Sequence, residues 1–569
     1  MLSIPELLKL RAEERPDYVA YRFIDYDVDP AGFIETYTWD QLYQRVQAVA
    51  AQLAVSGSPG DRAAVLAPQG MDYIVAFLGA LHAGFIAVPL PVPAPGGLDE
   101  RVVGALRDSA PSVILTTTGS VNDVLPYAGA DVTVIEVDAL APAPGPVPIG
   151  PASKTAYLQY TSGSTRQPAG VALTYKNVIT NIKQITTDYA SHVGGEAPEK
   201  FTLVSWLPFY HDMGLVIGVL GPVVADRPAV LMSPMAFLLK PARWVQQLAI
   251  HEGTFSAAPN FGYELAARRT SDADMEGLDL SDCLGLISGA ERVHPSTLDR
   301  FNDRFAQFGL ARETLRSSYG LAEATVYVLT SPGDRTPTEV RFDSEKLAAG
   351  HAEVCAAGGS VLVGCGAPRS CELRIVDPET LMEKPAREVG EIWVRGDQVA
   401  TGYWRNPDLT AKTFGGQLAK ASEGTPKGPW LRTGDLGVVF EGEVFIIGRI
   451  KDLLIIDGRN HYPEDIEFTV SEITSGRVAA VSIEDGTTEK LVAVAEIKQP
   501  GGTPQEVAEK LRDLKKRVGA AVRSVHGIRV GDLVLVGPGS LPITTSGKVR
   551  RAATADRYRL GEFGRLDTP

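Results

Sequence analysis

Four hydroxyl side chains, a glycine and an arginine stand together at Thr161, Ser162, Gly163, Ser164, Thr165 and Arg166. Glycine lets a backbone approach a ligand closely, and successive amide N–H groups form a concavity for an anion. The hydroxyls and the guanidinium add donors suited to phosphate oxygens. No Gly-Lys-Ser/Thr ends the loop, so it is not a Walker loop. A polar surface loop is the alternative reading of the same residues. A second candidate is Lys548, in the run Thr-Thr-Ser-Gly-Lys-Val-Arg-Arg at 544–551, just after Pro542. A mobile ammonium there can offset charge building on a phosphoryl group. A basic tail is its alternative, because Arg550 and Arg551 adjoin it. Asp435 follows a Thr-Gly turn, and its two oxygens can accept both hydroxyls of a ribose. His211 and Asp212 are neighbours that invite an acid–base assignment.

The elements that must carry these residues follow from apolar patterning. A strand over 156–160 runs directly into the hydroxyl-rich loop. From about residue 60, short apolar strands at 62–66, 85–90, 112–117, 203–207, 229–233 and 284–288 alternate with helices at 71–82, 99–109, 241–251 and 295–308. That alternation predicts parallel sheets covered by helices on both faces. After about residue 370 strands at 372–376, 391–394, 437–440 and 444–447 follow, the last two joined by a Glu441-Gly442 turn, so antiparallel structure is expected. A smaller unit then has a helix over 463–473 and strands over 478–482 and 491–497. Its final helix opens with Thr503 and Glu506 as a capping box and Pro504 at the first position. Val507, Leu511, Leu514, Val518 and Val522 give that helix one apolar face.

The fold class read from this pattern is α/β. A large N-terminal body, residues 1–448, has helix-covered sheets and a small antiparallel region, and residues 449–569 form a small mobile α+β lid.

Bulk composition excludes several functions. A chain of 569 residues exceeds one compact core, and 44% hydrophobic with 22% charged residues is ordinary for a globular protein. A net charge of −14 leaves no excess of Lys and Arg for nucleic acid. Cys283, Cys355, Cys365 and Cys371 lack zinc-site spacing and are expected as unpaired thiols. The N-terminal residues carry no basic leader with an apolar run, and the stretch 73–90 is broken by Gly79, His82, Gly84 and Pro89. No membrane span and a cytoplasmic location are expected.

Residues 161–171 resemble the phosphate-binding signature of the acyl-adenylate-forming superfamily, which includes acyl-CoA synthetases, nonribosomal adenylation domains and luciferases. The resemblance continues in order through 205–214 (Ser-Trp-Leu-Pro-Phe-Tyr-His-Asp-Met-Gly), 288–292 (Ser-Gly-Ala-Glu-Arg) and 318–323 (Ser-Tyr-Gly-Leu-Ala-Glu). It ends through 390–396 (Gly-Glu-Ile-Trp-Val-Arg-Gly), 432–435 (Arg-Thr-Gly-Asp), 448–452 (Gly-Arg-Ile-Lys-Asp) and 541–548 (Leu-Pro-Ile-Thr-Thr-Ser-Gly-Lys). Arg166 and the run from Trp206 to Leu215 make the chain similar to the fatty acyl-AMP ligases of actinobacteria, mycobacterial members above all.

The resemblance implies ATP-dependent activation of a long-chain fatty acid to acyl-AMP with release of pyrophosphate. The acyl group then passes to an acyl carrier protein or a polyketide synthase carrier domain in lipid biosynthesis. It places Gly289, Ala290, Ser318, Tyr319 and Gly320 on the adenine, Asp435 and Arg449 on the ribose and phosphate, and Glu323 on Mg²⁺. Lys548 is then the catalytic ammonium, and Lys451 and Asp452 the hinge. In-line displacement by an ionised carboxylate needs no base, so His211 is assigned to shaping the substrate pocket. Residues 213–224 and 231–239 are an apolar neighbourhood that could wall an acyl tunnel, with buried core as the alternative reading.

The chain also departs from many relatives. Ala169 stands where they carry Lys, with Arg166 as the substitute contact. Residues 455–457 (Ile-Ile-Asp) replace the Ile-Lys pattern common after the hinge in enzymes that make CoA thioesters. The connection from 330 to 371 is long, and in fatty acyl-AMP ligases an insertion there limits lid rotation; it is expected at about 342–366. A long-chain acyl-CoA synthetase is the rival reading, and an inactive acyl or nucleotide sensor on the same fold is a third.

Overall fold

The computed structural model describes residues 1–93, 99–151, 153–160, 168–191, 194–196, 198–456, 459–485, 488–544 and 548–567. Two large sheets form the N-terminal domain. The six-stranded sheet runs Thr133–Glu136, Val113–Thr116, Arg62–Val65, Ile86–Pro89, Tyr157–Tyr160, Gly170–Leu173. The eight-stranded sheet runs Leu329–Thr330, Leu315–Tyr319, Cys283–Ser288, Thr254–Ala258, Thr202–Ser205, Ala229–Met232, Val19–Asp25, Phe33–Thr38. Both are parallel in their interiors, as the apolar alternation predicts; antiparallel pairs close both edges of the eight-stranded sheet and one edge of the six-stranded sheet. The helix Met71–His82 is buried along its whole length and packs on the helix Trp39–Ser56. That explains why its sequence is apolar on every face without being a membrane span. Among the described residues no helix is long and apolar enough to cross a membrane.

A four-stranded antiparallel sheet follows, Glu372–Val376, Gly390–Arg395, Leu431–Phe440 and Glu443–Arg449, with Glu441 and Gly442 turning at positive φ. Against it packs the segment expected at 342–366. Strands Glu339–Phe342 and Ser360–Val363 pair antiparallel, and the short helix Ser344–Ala348 lies between them in sequence. Phe342 meets Phe440 and Phe445 edge-on at 5.2 and 5.6 Å, pairs worth about 0.5–1.5 kcal/mol each beyond area burial. Tyr462, from beyond the antiparallel sheet, joins the same apolar cluster.

The C-terminal domain has its own cores. Val478–Asp485 and Thr488–Glu496 form a hairpin, and Val530–Val536 adds parallel to it through the crossover helix Pro504–His526. The capping box at Thr503 and Glu506 forms as expected, and Leu511, Val518 and Val522 are buried beneath the helix. It is not the final helix, however. Arg551–Arg559 follows, burying only the small residues Thr554 and Ala555, which leaves no apolar stripe in the sequence to reveal it. All four cysteines are free.

Candidate functional site

The strand Leu315–Tyr319 is buried throughout and delivers Ser318 and Tyr319 at its C-terminal end. A Cβ on Gly320 would stand 1.8 Å from the Val326 carbonyl oxygen, so only glycine permits this turn. The next turn presents Glu323, whose Oε1 accepts from the Tyr403 hydroxyl at 2.7 Å. Burial and Glu323 together keep that hydroxyl protonated. Tyr403 was not singled out in the sequence, because a lone tyrosine after a Thr-Gly pair carries no signal of its own.

The neighbouring strand Cys283–Ser288 ends beside the first, with a Cβ on Gly289 3.1 Å from the Ser318 carbonyl oxygen. Ala290 then adopts φ 68° and is exposed, a left-handed conformation that costs a non-glycine residue about 1–3 kcal/mol and often marks a functional turn.

Asp435 and Arg449 are direct cross-strand partners, and their ion pair closes at 3.1 Å between Nε and Oδ1. The Tyr319 hydroxyl donates to the other oxygen at 2.7 Å. The carboxylate is thus held from both sides, and each oxygen keeps a second lone pair for a ligand. Asp435 holds the Arg449 guanidinium above its ordinary range. The Tyr319 ring packs in the core between these strands. Beneath the turn lies Glu391, buried, accepting from Arg432 at 2.9 and 3.0 Å, from the Gly434 amide at 3.1 Å and from Trp393 at 2.9 Å. It fixes the turn that presents Asp435, a role carried by the 390–396 segment that no residue type alone announced.

The segment after the strand Thr202–Ser205 folds tightly back, because a Cβ on Gly214 would meet the Pro208 carbonyl oxygen at 2.1 Å. It carries His211 and Asp212, and Gln159 donates to the Tyr210 carbonyl at 2.8 Å, joining the two large sheets here. Burial, then Lys548 and Arg101, push the His211 ring down to about 4, so it is neutral near pH 7. Burial raises the Asp212 carboxyl against the pull of Lys548.

Lys548 arrives from the C-terminal domain. Burial and Arg449 lower its ammonium, while Glu291, Asp212 and Asp435 favour its charge. Lys548 thus lies within electrostatic reach of Asp212, Glu291, Asp435 and Arg449, which come from four separate segments. Glu291 is accessible to solvent yet desolvated enough to raise its carboxyl, as befits a cleft wall. Lys451, exposed, also feels Asp435 and Glu323, whereas Asp452 turns away to Arg551 at 3.0 Å.

The expected phosphate loop, Thr161 to Arg166, lies outside the described residues. Its flanking strands Tyr157–Tyr160 and Gly170–Leu173 pair antiparallel, with Tyr160 opposite Gly170.

An apolar cavity of about 150 Å³ lies between the helix Tyr175–Tyr189 and the π-helical turn Gly214–Leu220. Ile182, Ile185, Tyr189, Val216, Ile217 and Phe255 line it. The Tyr189 hydroxyl bonds Ser318, so the cavity borders the strand that ends at Tyr319. From the stretch 213–224, Val216, Ile217 and Gly221 line this cavity. The stretch 231–239 does not line this cavity: Leu231 is in a core strand and Phe237 stacks on Trp206 at 3.9 Å.

Known proteins resemble this chain over most of its length. The family model described as AMP-binding enzyme matches residues 8–404, and that of the Disco-interacting protein 2-like AMP domain matches residues 451–564. The chain is 55% identical to the long-chain-fatty-acid–AMP ligase FadD26 of Mycobacterium marinum, over 99% of this chain and 98% of the relative. It is also 55% identical to a 4-hydroxyphenylalkanoate adenylyltransferase of Mycobacterium tuberculosis, over 99% and 93%. The structure of a fatty acyl-adenylate ligase from L. pneumophila, in complex with acyl adenylate and pyrophosphate, superposes with a TM-score of 0.74. Its identity is 32%, over 100% of this chain and 98% of that one.

Proposed function

The chain belongs to the fatty acyl-AMP ligases among the AMP-binding enzymes, and from that premise we propose how its own residues activate a fatty acid as acyl-adenylate. The observation that carries the reading is Lys548 entering the cleft that holds the Asp435–Arg449 pair.

The fatty carboxylate attacks the α-phosphorus of ATP, and the bond to pyrophosphate breaks in line. No proton moves in that step, which suits a neutral His211 that shapes the pocket and takes no part as base. Asp435 accepts from the ribose hydroxyls, and Arg449 neutralises Asp435 while facing the α-phosphate. Gly289, Ala290, Ser318, Tyr319 and Gly320 form the adenine side. Thr161 to Arg166 grip the phosphates. Lys548 offsets the charge shared between carboxylate and phosphoryl oxygens, a contribution on the order of 3–4 kcal/mol to the barrier.

Glu323 suits Mg²⁺. One of its oxygens is oriented by Tyr403, and the other remains for a hard cation that ATP oxygens and water complete. Among the described residues no group of three His, Cys, Asp or Glu forms a cage, as expected for a cation that arrives with its nucleotide. When bound, Mg²⁺ neutralises triphosphate charge.

The division at 448 and 449, with Lys451 and Asp452 as the pivot, belongs to the same proposal. Segment 342–366 supports a reaction that stops at acyl-AMP. Ser360 donates to Asp465 at 3.2 Å, Asn460 donates to the Ala348 carbonyl at 3.4 Å, and Tyr462 shares the apolar cluster. These contacts must break before the C-terminal domain can turn to admit CoA. The acceptor in this reading is the phosphopantetheine thiol of an acyl carrier protein or polyketide synthase carrier domain.

An alkyl chain fits the cavity better than a hydroxyphenyl terminus. The cavity's hydroxyls already spend their protons within the protein, Tyr189 on Ser318 and Thr186 on the Ile182 carbonyl at 3.0 Å, so neither has a proton to donate to a substrate hydroxyl, and the rest of the lining is apolar. Incubation with ATP, Mg²⁺ and CoA, with a long-chain fatty acid or a 4-hydroxyphenylalkanoate, tests both points. Acyl-AMP from the fatty acid is expected. Abundant acyl-CoA overturns the acceptor assignment, and faster turnover of the aryl acid overturns the substrate.

A further inference from the structure

Arg551, the first residue of the helix Arg551–Arg559, stands three positions after Lys548 and gathers three carboxylates. Its Nε and Nη2 donate to the two oxygens of Glu467, both at 2.7 Å. Its Nη1 meets Asp452 at 3.0 Å and Glu464 at 2.8 Å. All four side chains are largely buried, the most exposed at 22%. The second oxygen of Glu464 is buried without a hydrogen-bond partner, and burial raises its carboxyl. Three acids on one base is not an arrangement of greatest stability, because each desolvated carboxylate needs its own compensation.

The three acids come from two places that matter. Asp452 ends the turn Ile450–Asp452 that follows the Asp435–Arg449 strand pair. Glu464 and Glu467 belong to the first turns of the helix Pro463–Thr474, where the helix dipole favours carboxylates. Between them in sequence, Asp465 points to the N-terminal domain and pairs with Arg292 at 2.7 Å, both side chains nearly inaccessible. Arg292 closes the segment 288–292 beside the nucleotide cleft. A line of charge thus runs from Arg292 through Asp465 and the turn of that helix to Glu464, Glu467 and Arg551. Among the described residues around Lys548, the Thr544 N–H donates to the Lys548 carbonyl at 2.7 Å, the Lys548 amide to the Thr544 hydroxyl at 3.1 Å, and the Arg550 N–H to the Pro542 carbonyl at 2.9 Å. Three residues beyond Lys548, Arg551 joins this stretch to the acids at the pivot and on the helix Pro463–Thr474.

We propose that Arg551 is a positioning residue for adenylation. It ties the Lys548 segment to both the pivot and the helix that docks on Arg292, so docking aims the ammonium at the cleft. The inference rests on the reading of Lys548 as the adenylation ammonium.

A double-mutant cycle on the full-length protein tests it, reading pyrophosphate release with ATP, Mg²⁺ and palmitate. Arg551→Gln is expected to lower kcat about 10- to 100-fold, as a misplaced group does, with the KM for ATP within about threefold. In the Lys548→Ala background the same substitution adds no further loss, because the two residues act as one unit. Arg551→Lys recovers little, since an ammonium cannot serve the two oxygens of Glu467 and Asp452 in one plane. Losses that multiply in the double variant, or a kcat untouched in Arg551→Gln, overturn the proposal. Should Arg551→Gln fail to fold, Asp452→Asn carries the same cycle with a loss of about fivefold, and additivity there overturns it equally. Normal pyrophosphate release by Lys548→Ala alone removes Lys548 from the chemistry and takes this proposal with it, whereas a slow Lys548→Ala beside a normal Arg551→Gln removes only the proposal.

Discussion

The two sides of the cleft are held by different means. On the N-terminal side Tyr319, Asp435 and Arg449 lock one another across paired strands at 2.7 and 3.1 Å, and Tyr403 fixes Glu323 at 2.7 Å. These bonds exist before any ligand arrives. On the C-terminal side Lys548 is placed by a domain that touches the other through Arg292–Asp465, the stacked pair His294–Phe468 and Arg300–Glu472 at 3.6 Å. That side is assembled by docking. On the proposed reading the contrast divides the labour: the fixed side is expected to set how tightly ATP is held, and the docking side how fast it reacts.

The largest test of that division is Lys548→Ala. Loss of one transition-state donor is expected to cut the kcat of pyrophosphate release by about 10²- to 10³-fold and leave the KM for ATP nearly unchanged. A loss carried mainly by KM would mean that Lys548 helps bind ATP, and the two sides would not differ. Asp435→Ala should show the opposite signature. It leaves Arg449 and the Tyr319 hydroxyl without their shared partner, which costs about 1–3 kcal/mol of stability, and it raises the KM for ATP about 10- to 100-fold. Titration calorimetry with an unreactive ATP analogue reads the same loss directly, and unchanged affinity would remove Asp435 from the ribose.

How much of this was legible in the sequence follows the same contrast. The fixed side was legible through the family resemblance of segments 288–292, 318–323, 432–435 and 448–452; the structure adds a physical reason for one of them, since Gly320 is required by its close approach to the Val326 carbonyl. Tyr403 and Glu391 escaped notice, since each acts through a partner distant in sequence and neither belongs to a periodic pattern. The sheets were legible from apolar runs, but their antiparallel edges were not, because an edge strand differs from a central one mainly in what it lacks. The helix Arg551–Arg559 was hidden by its composition. Its buried residues are Thr554 and Ala555, and the arginine that anchors it looked like part of a basic tail.

The apolar cavity, proposed to take the acyl chain, extends the comparison to the substrate's far end. It is walled by side chains on regular elements and offers an alkyl chain no free polar group, so it should discriminate by volume alone. Val216→Trp fills part of the space between the Gly214–Leu220 turn and the helix Tyr175–Tyr189. Relative kcat/KM for a long over a short fatty acid should fall about tenfold, since burying one methylene more or less in an apolar pocket is worth about 1–3 kcal/mol. An equal fall for every chain length would mean that the acyl chain runs elsewhere.

The smallest effect probes the docking contacts by pH. His294 stacks on Phe468 at 4.7 Å with the ring planes 11° apart, and burial, then Arg292 and Arg300, push its ring down to about 3. An unfolded histidine titrates near 6.5, so between about pH 6.5 and 3 the folded chain binds fewer protons than the unfolded one. The stability that His294 allows is therefore complete above about pH 6.5 and lost as the pH falls. From pH 7 to 5.5 the loss is about 1 kcal/mol, because each unit below the unfolded value costs at most about 1.4 kcal/mol. His294→Phe keeps the stack and removes the proton site, so its urea midpoint should move less between those pH values than that of the wild type. Equal movement would place a proton on His294 in the folded chain, beside two guanidinium groups and against Phe468. The docking side would then be held at the expense of an unpaired buried charge, the reverse of the paired, prearranged bonding on the side of Asp435.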